Sequence, residues 1–327
     1  VKCTNRKIAI LCAVIIATSA LFTGCSEKQF TKEYDITSSN SAYNITNSSE
    51  TLTAKPFAAD ICVVSDNVLA DGVDASLSES AALFDVDSHE VLYANNATEK
   101  LYPASLTKVL TALIALEKGN LDDVITVSKN SEIKESGAQL CGFKEGDKIT
   151  LEQALHGLLM YSGNDAAVAI AEYVSGSVED FAKLMNEKAA SLGATNSHFV
   201  NPHGLSDEQH YTTAYDLYLI FKEAVKYDKF VEIINTDSWT TTYTLSNGTP
   251  KDITFKTTNA FLKGDATAPD GVTVIGGKTG TTAAAGSCLI LYSQNATSEP
   301  YISVVLKAGN HSVLYKQMTD ILGKINK

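Results

Sequence analysis

Residues 101–119 read LYPASLTKVLTALIALEKG, and the fold turns on how that run is taken. After Lys108 come Val109, Leu110, Ala112, Leu113, Ile114 and Leu116, a helical pattern apolar on almost every side, with Gly119 as its stop. A helix apolar all round belongs in a protein interior. Lysine is almost never fully buried unless a partner or a reaction holds it there. Ser105 lies one helical turn before Lys108, on the same face. Unpaired N–H groups and the positive end of the helix dipole collect at that point. Burial penalises the charged amine and pulls its pKa down from ~10.4. A neutral amine can take the proton of a neighbouring hydroxyl, so a buried Ser-x-x-Lys makes a nucleophile without histidine.

The spacing alone is cheap. Ser131 and Lys134 repeat it inside SKNSEIKESG, a polar run that reads as solvated surface. Pro103 ahead of Ser105 and the apolar helix behind it set the first copy apart. Two further segments complete a constellation. In YSGND, Ser162 and Asn164 fall in a break between two helical runs, and other Ser-x-Asn copies lack that setting. In GGKTGTT, Lys278, Thr279, Gly280 and Thr281 fall on a strand whose glycines let a substrate backbone lie close. Lys-Thr-Gly occurs once in the chain.

The rest of the sequence organises around these segments. Lys2, Arg6 and Lys7 precede an apolar run over residues 8–22, the form of an export signal. That run falls short of the ~20 residues of a comfortable membrane span. It ends in LFTGC, which resembles the lipobox of bacterial lipoproteins and implies a signal over residues 1–24 and a lipid on Cys25. Residues 25–60 are rich in Ser, Thr and Asn and read as a tether. The body, residues 61–327, opens with strand-like AALFDVD and EVLYANN, joined as a hairpin across Ser88 and His89. A mostly helical lobe covers about residues 120–235, with Thr150 and Gln153 as a capping box. A hairpin at Asn247-Gly248 follows, then the strands GVTVIGGKTG, AGSCLILYS and YISVVLKAG, and a last helix in SVLYKQMTDILGKI. The order predicts an α+β body: an antiparallel sheet flanked by terminal helices, with a helical subdomain inserted.

Bulk properties narrow the chemistry. A net charge of −12 argues against nucleic acid as a partner. Arg6 is the only arginine, so anions in the body must be held by Lys, hydroxyls or backbone N–H groups. With Cys3 and Cys12 in the signal and Cys25 lipidated, Cys62, Cys141 and Cys288 remain. Their odd number and spacing predict small buried thiols and no disulfide framework. The spacing of His198 and His203 fits no metal helix, and Val272 stands where a P-loop needs glycine. Asp165 reads as a helix-start, solvated charge. No metal and no cofactor are expected.

Ser-x-x-Lys, Ser-x-Asn and Lys-Thr-Gly in this order resemble the penicillin-interacting serine enzymes. The wording YPASLTK, SGNDAAVAIAE, MNEKAASLGATNSHFVNPHGL, YTTAYDL and GGKTGTT is similar to the low-molecular-mass D-alanyl-D-alanine carboxypeptidases. The resemblance implies a β-lactamase/transpeptidase-like fold and an extracytoplasmic enzyme that trims peptidoglycan stem peptides and is acylated by β-lactam antibiotics. It implies Ser105 as nucleophile, Lys108 as base and Ser162 as proton relay. It implies Asn164, Lys278, Thr279, Gly280 and Thr281 as substrate-binding residues. Members often carry an arginine after the strand that follows Lys-Thr-Gly. Here LKAGNHSVLYKQ offers Lys307 and His311 instead, which puts carboxylate affinity in question. Relatives also append a β-rich domain and a C-terminal amphipathic helix. An N-terminal lipid on the outer face of the bacterial membrane is expected to replace that anchor. Two rival readings stay open: a class A-like β-lactamase, against which stand Ser-Gly-Asn and the missing E-x-x-L-N, and a β-lactam-sensing or peptidoglycan-binding lipoprotein without turnover.

Overall fold

The computed structural model describes residues 60–326, so the signal, Cys25 and the tether up to residue 59 lie outside the described residues. β1 (Ser78–Asp85) and β2 (Val91–Asn95) form the expected hairpin. Its turn is fixed by Asp85, whose carboxylate accepts from the backbone N–H groups of Asp87 and Ser88. β7 (Val272–Thr282), β8 (Gly286–Asn295) and β9 (Pro300–Ala308) complete an antiparallel five-stranded sheet in the order β2-β1-β9-β8-β7. The central strands are apolar on both faces because both faces are covered. Ala82 and Phe84 of β1 join one core and Ala81 and Leu83 the other. Helix α8 (His311–Leu322) covers the second face with Leu314, Met318 and Ile321. On the first face, Phe84 stacks at 4.1 Å on Tyr218 of α5 (Ala214–Ala224).

The apolar run after Lys108 forms α1 (Lys108–Lys118), and its residues from Lys108 to Ala115 are all buried. Each fully buried Val, Leu or Ile contributes about 1.5–3 kcal/mol, so several together outweigh the cost of holding one lysine in the interior. Around α1 pack α2 (Leu151–Leu159), α3 (Asn164–Ser175) and α4 (Val178–Ser191), with α6 (Asp228–Ile234) beyond α5. The capping box at Thr150 and Gln153 is present at the start of α2.

The lobe is less purely helical than its sequence reads. β3 (Val124–Thr126) and β4 (Lys148–Thr150) pair within it. The hairpin β5 (Ser238–Thr244) and β6 (Pro250–Lys256) extends that pair into a second sheet, β3-β4-β5-β6. The hairpin joins the lobe because its aromatic face belongs there. Phe143 meets Tyr243 edge-on at 5.3 Å, and Trp239 stacks on His156 at 3.7 Å. A short α7 (Ala260–Lys263) leads into β7.

Candidate active site

Ser105 stands at the mouth of the interior, in a 3-10 turn over Ala104–Thr107 that runs directly into α1. Ala104 holds a left-handed φ of 48°, which costs an alanine of order 1 kcal/mol or more and persists only when its surroundings enforce it. Two glycines do so. A Cβ on Gly204 would lie 1.8 Å from the Ala104 carbonyl oxygen, and one on Gly280 would lie 2.9 Å from the Ser105 backbone nitrogen. Any side chain at either position would push the Ser105 turn away.

Lys108 is 0% exposed. Its Nζ lies 2.8 Å from Ser105 Oγ, 2.7 Å from Asn164 Oδ1 and 2.7 Å from the His203 carbonyl oxygen. A neutral amine has two N–H bonds and one lone pair. The two carbonyl oxygens can only accept, so they take both N–H bonds and leave the lone pair to the Ser105 hydroxyl. Burial, followed by the positive charge of Lys278, drives the Lys108 pKa well below its ordinary value.

Ser162 and Asn164 occupy the break between α2 and α3, as the sequence places them. Ser162 adopts a left-handed φ of 69°, the second strained non-glycine residue beside Lys108. Its Oγ accepts from Lys278 Nζ at 2.9 Å, and the same ammonium donates to the Thr279 carbonyl at 2.8 Å. Burial pushes Lys278 down to about 7. Lys278 reaches Ser162, and Gly280 lies against the Ser105 turn. Thr279 Oγ1 meets Thr258 Oγ1 at 2.6 Å, and Thr281 is exposed. β7 is an edge strand with no partner on its outer side among the described residues.

Several supporting contacts were not legible beforehand. The His203 contribution is a backbone carbonyl, which leaves no trace in residue type. His210 Nδ1 accepts from the Val200 N–H at 3.1 Å, which leaves Nε2–H to donate to Thr107 Oγ1 at 2.8 Å. Burial lowers His210 to about 4 and His203 to about 3, so both rings are neutral at physiological pH. Asp165 corrects its reading as a solvated charge: it is 1% exposed. Its carboxylate accepts from the N–H groups of Cys141, Gly142 and Phe143 in addition to Ala166. The second Ser-x-x-Lys also differs from its reading. Ser131 is buried with no hydrogen-bond partner for its hydroxyl, and Lys134 is exposed, so the two make no couple. Cys62, Cys141 and Cys288 are free, the first and last buried and Cys141 half-buried.

A hydroxyl backed by a lysine whose neutral form burial favours, with a second buried lysine holding a second serine across the cleft, has the parts of a serine acyl-transfer site whose base is an amine. The chain belongs to the D-alanyl-D-alanine carboxypeptidase family, whose model matches residues 67–310. The D-alanyl-D-alanine carboxypeptidase DacF of Bacillus subtilis is 36% identical over 250 residues, 75% of this chain and 61% of the relative. DacC of Escherichia coli is 33% identical over 275 residues, 81% of this chain and 64% of the relative. The chain thus spans less than two thirds of either relative's length. Among solved structures, the Streptomyces K15 DD-transpeptidase is similar with a TM-score of 0.71 at 27% identity, over 79% of this chain and 98% of that one.

Proposed function

We propose that the protein is a serine D,D-carboxypeptidase that removes the terminal D-alanine of peptidoglycan stem peptides and is acylated by β-lactams at the same serine. The observation that carries the reading is the buried Lys108 amine, with both N–H bonds committed and its lone pair facing Ser105. Ser105 Oγ attacks the penultimate D-alanine carbonyl carbon while its proton passes to Lys108 Nζ. The N–H groups of Ser105 and Thr281 receive the oxyanion, where one donor is typically worth ~2.7–4 kcal/mol. The C–N bond breaks, and the leaving amine takes a proton through Ser162 and Lys278. Asn164 orients the substrate amide, and Lys278, Thr279 and Thr281 grip the terminal carboxylate along β7, with Gly280 giving the backbone access. Water then hydrolyses the ester and restores Ser105.

No carboxylate is among the hydrogen-bond partners of Lys108 or Ser105 in the described residues, which favours a long-lived penicilloyl ester over β-lactamase turnover. For the anchor, the basic start, the apolar run over residues 8–22 and LFTGC support a lipid on Cys25 and a place on the outer face of the membrane. One experiment tests both readings. The full chain, expressed in bacteria, is labelled with fluorescent penicillin, mapped by peptide mass spectrometry and assayed for D-alanine release. We expect label on Ser105, D-alanine release from a stem-peptide mimic, and detergent-phase partition that Cys25→Ser abolishes. Absent label removes the enzyme reading; unchanged partition in Cys25→Ser removes the anchor.

The two lysines also set an expected pH dependence. Lys108 works as a base only when neutral, and its pKa is held down by burial first and by Lys278 second. In Lys278→Gln the second cause disappears, so the Lys108 pKa rises toward its ordinary value. The acid limb of the penicillin acylation rate should therefore move to higher pH, whatever the fall in its plateau. A limb that stays put or moves to lower pH contradicts the coupling.

A further inference from the structure

The amine of Lys108 turns about its last C–N bond unless its N–H groups are held, so the aim of its lone pair depends on where its two acceptors stand. Asn164 brings one on α3. The other, the His203 carbonyl, sits in the loop NPHGL over residues 201–205. That loop makes no backbone–backbone hydrogen bond among the described residues. Just upstream, Asn186 holds the N–H and carbonyl of Phe199 at 2.9 and 2.7 Å, and His210 holds the Val200 N–H. From residue 201 onward, side chains alone set the path of the chain.

Two side chains do so. Thr111, one turn after Lys108 on α1 and 0% exposed, donates its hydroxyl to the Pro202 carbonyl at 2.7 Å. A threonine inside a helix ordinarily turns its hydroxyl back to the carbonyl one turn earlier. This one leaves its helix for a partner 91 residues away. Asn201 Oδ1 accepts from the N–H groups of His203 and Gly204 at 3.3 and 2.7 Å, and its Nδ2 donates to the Leu205 carbonyl at 3.0 Å. The peptide unit before His203 is thus held at its oxygen by Thr111 and at its N–H by Asn201. The unit after it is held at its N–H by Asn201 and presents its oxygen to Lys108. Because each unit is planar, fixing one end fixes the other. Gly204 then rests against the Ala104 carbonyl, so the same loop abuts the Ser105 turn.

Extending the proposed function, we propose that Thr111 and Asn201 are positioning residues: by fixing the His203 carbonyl they keep one N–H of Lys108 occupied and its lone pair on Ser105. The test is the rate of labelling by fluorescent penicillin well below each variant's Tm, with circular dichroism to verify the fold. Thr111→Val keeps the shape of the side chain and deletes its hydroxyl. We expect labelling about tenfold slower, the factor that one net hydrogen bond is worth. Thr111→Ser returns the hydroxyl and should label close to the wild-type rate. Lys108→Met supplies the readout that a merely structural role would not move. Its residual labelling has no lone pair to aim, so adding Thr111→Val to it should change the rate by less than about twofold. Asn201→Ala, at a half-buried position, is expected to slow labelling in the same way and to lose its effect in Lys108→Met. It decides the matter should Thr111→Val not fold. Wild-type labelling in folded Thr111→Val or Asn201→Ala, a serine variant as slow as the valine, or an equal loss in Lys108→Met overturns the assignment and leaves the carboxypeptidase reading standing. A wild type that takes no label takes down both.

Discussion

Lys108→Arg is expected to slow acylation by penicillin on the order of a thousandfold, within the range that a positioned general base supplies. The substitution keeps a long nitrogen-bearing side chain, makes its charge permanent and removes the chemistry. A guanidinium cannot be deprotonated in a protein, so it offers Ser105 no lone pair. In the wild type burial favours the neutral amine, and Asn164 Oδ1 and the His203 carbonyl then absorb both of its N–H bonds and leave the lone pair to Ser105. Arginine is also larger than the space available, so Lys108→Met serves as a neutral companion of similar length. Stopped-flow labelling of both variants, with circular dichroism to verify the fold, checks the expectation. If folded Lys108→Arg labels within tenfold of the wild type, the amine is not the base.

How far this site could be read in the sequence depends on what each contact is made of. The Ser105–Lys108 couple was legible because the apolar run from Val109 to Leu116 dictates burial, and burial dictates the lysine's state. The β7 strand was legible from its glycines and from its place before two apolar strands. The three-residue strands β3 and β4 were not, because so short a pairing leaves no period-2 signature. The left-handed φ of Ala104 and Ser162 was hidden as well, since neither residue type favours it and the glycines that enforce it at Ala104 lie far away in sequence. Residue type misled at Asp165. An acid in the first turn of a helix ordinarily answers the helix's own N–H groups from the surface. Here three amides of a loop more than twenty residues upstream converge on it from inside.

Asp165→Ala is accordingly expected to destabilise the fold by about 3 kcal/mol, since each buried donor left unpaired costs roughly 1–3 kcal/mol and water can satisfy only part of the set. For a domain of this size that lowers Tm by roughly 5 °C. The loss should reach the chemistry because the same loop also holds the break between α2 and α3: the Gln139 carbonyl accepts from the Asn164 N–H at 2.8 Å, and Asn164 Oδ1 in turn takes an N–H of Lys108. Freed of its clamp, the loop no longer fixes Asn164, and the amine loses one of the two acceptors that aim its lone pair. Asp165→Asn keeps one acceptor oxygen but turns an NH₂ toward backbone N–H groups, so it should fall between alanine and the wild type in both Tm and labelling rate. Differential scanning calorimetry beside penicillin labelling at a temperature well below each Tm separates the two effects. A Tm within 2 °C of the wild type in Asp165→Ala would show that the buried carboxylate is not what ties the loop to the helix. Slowed labelling in a variant still fully folded at the assay temperature is what a positioning role requires and a purely structural one does not.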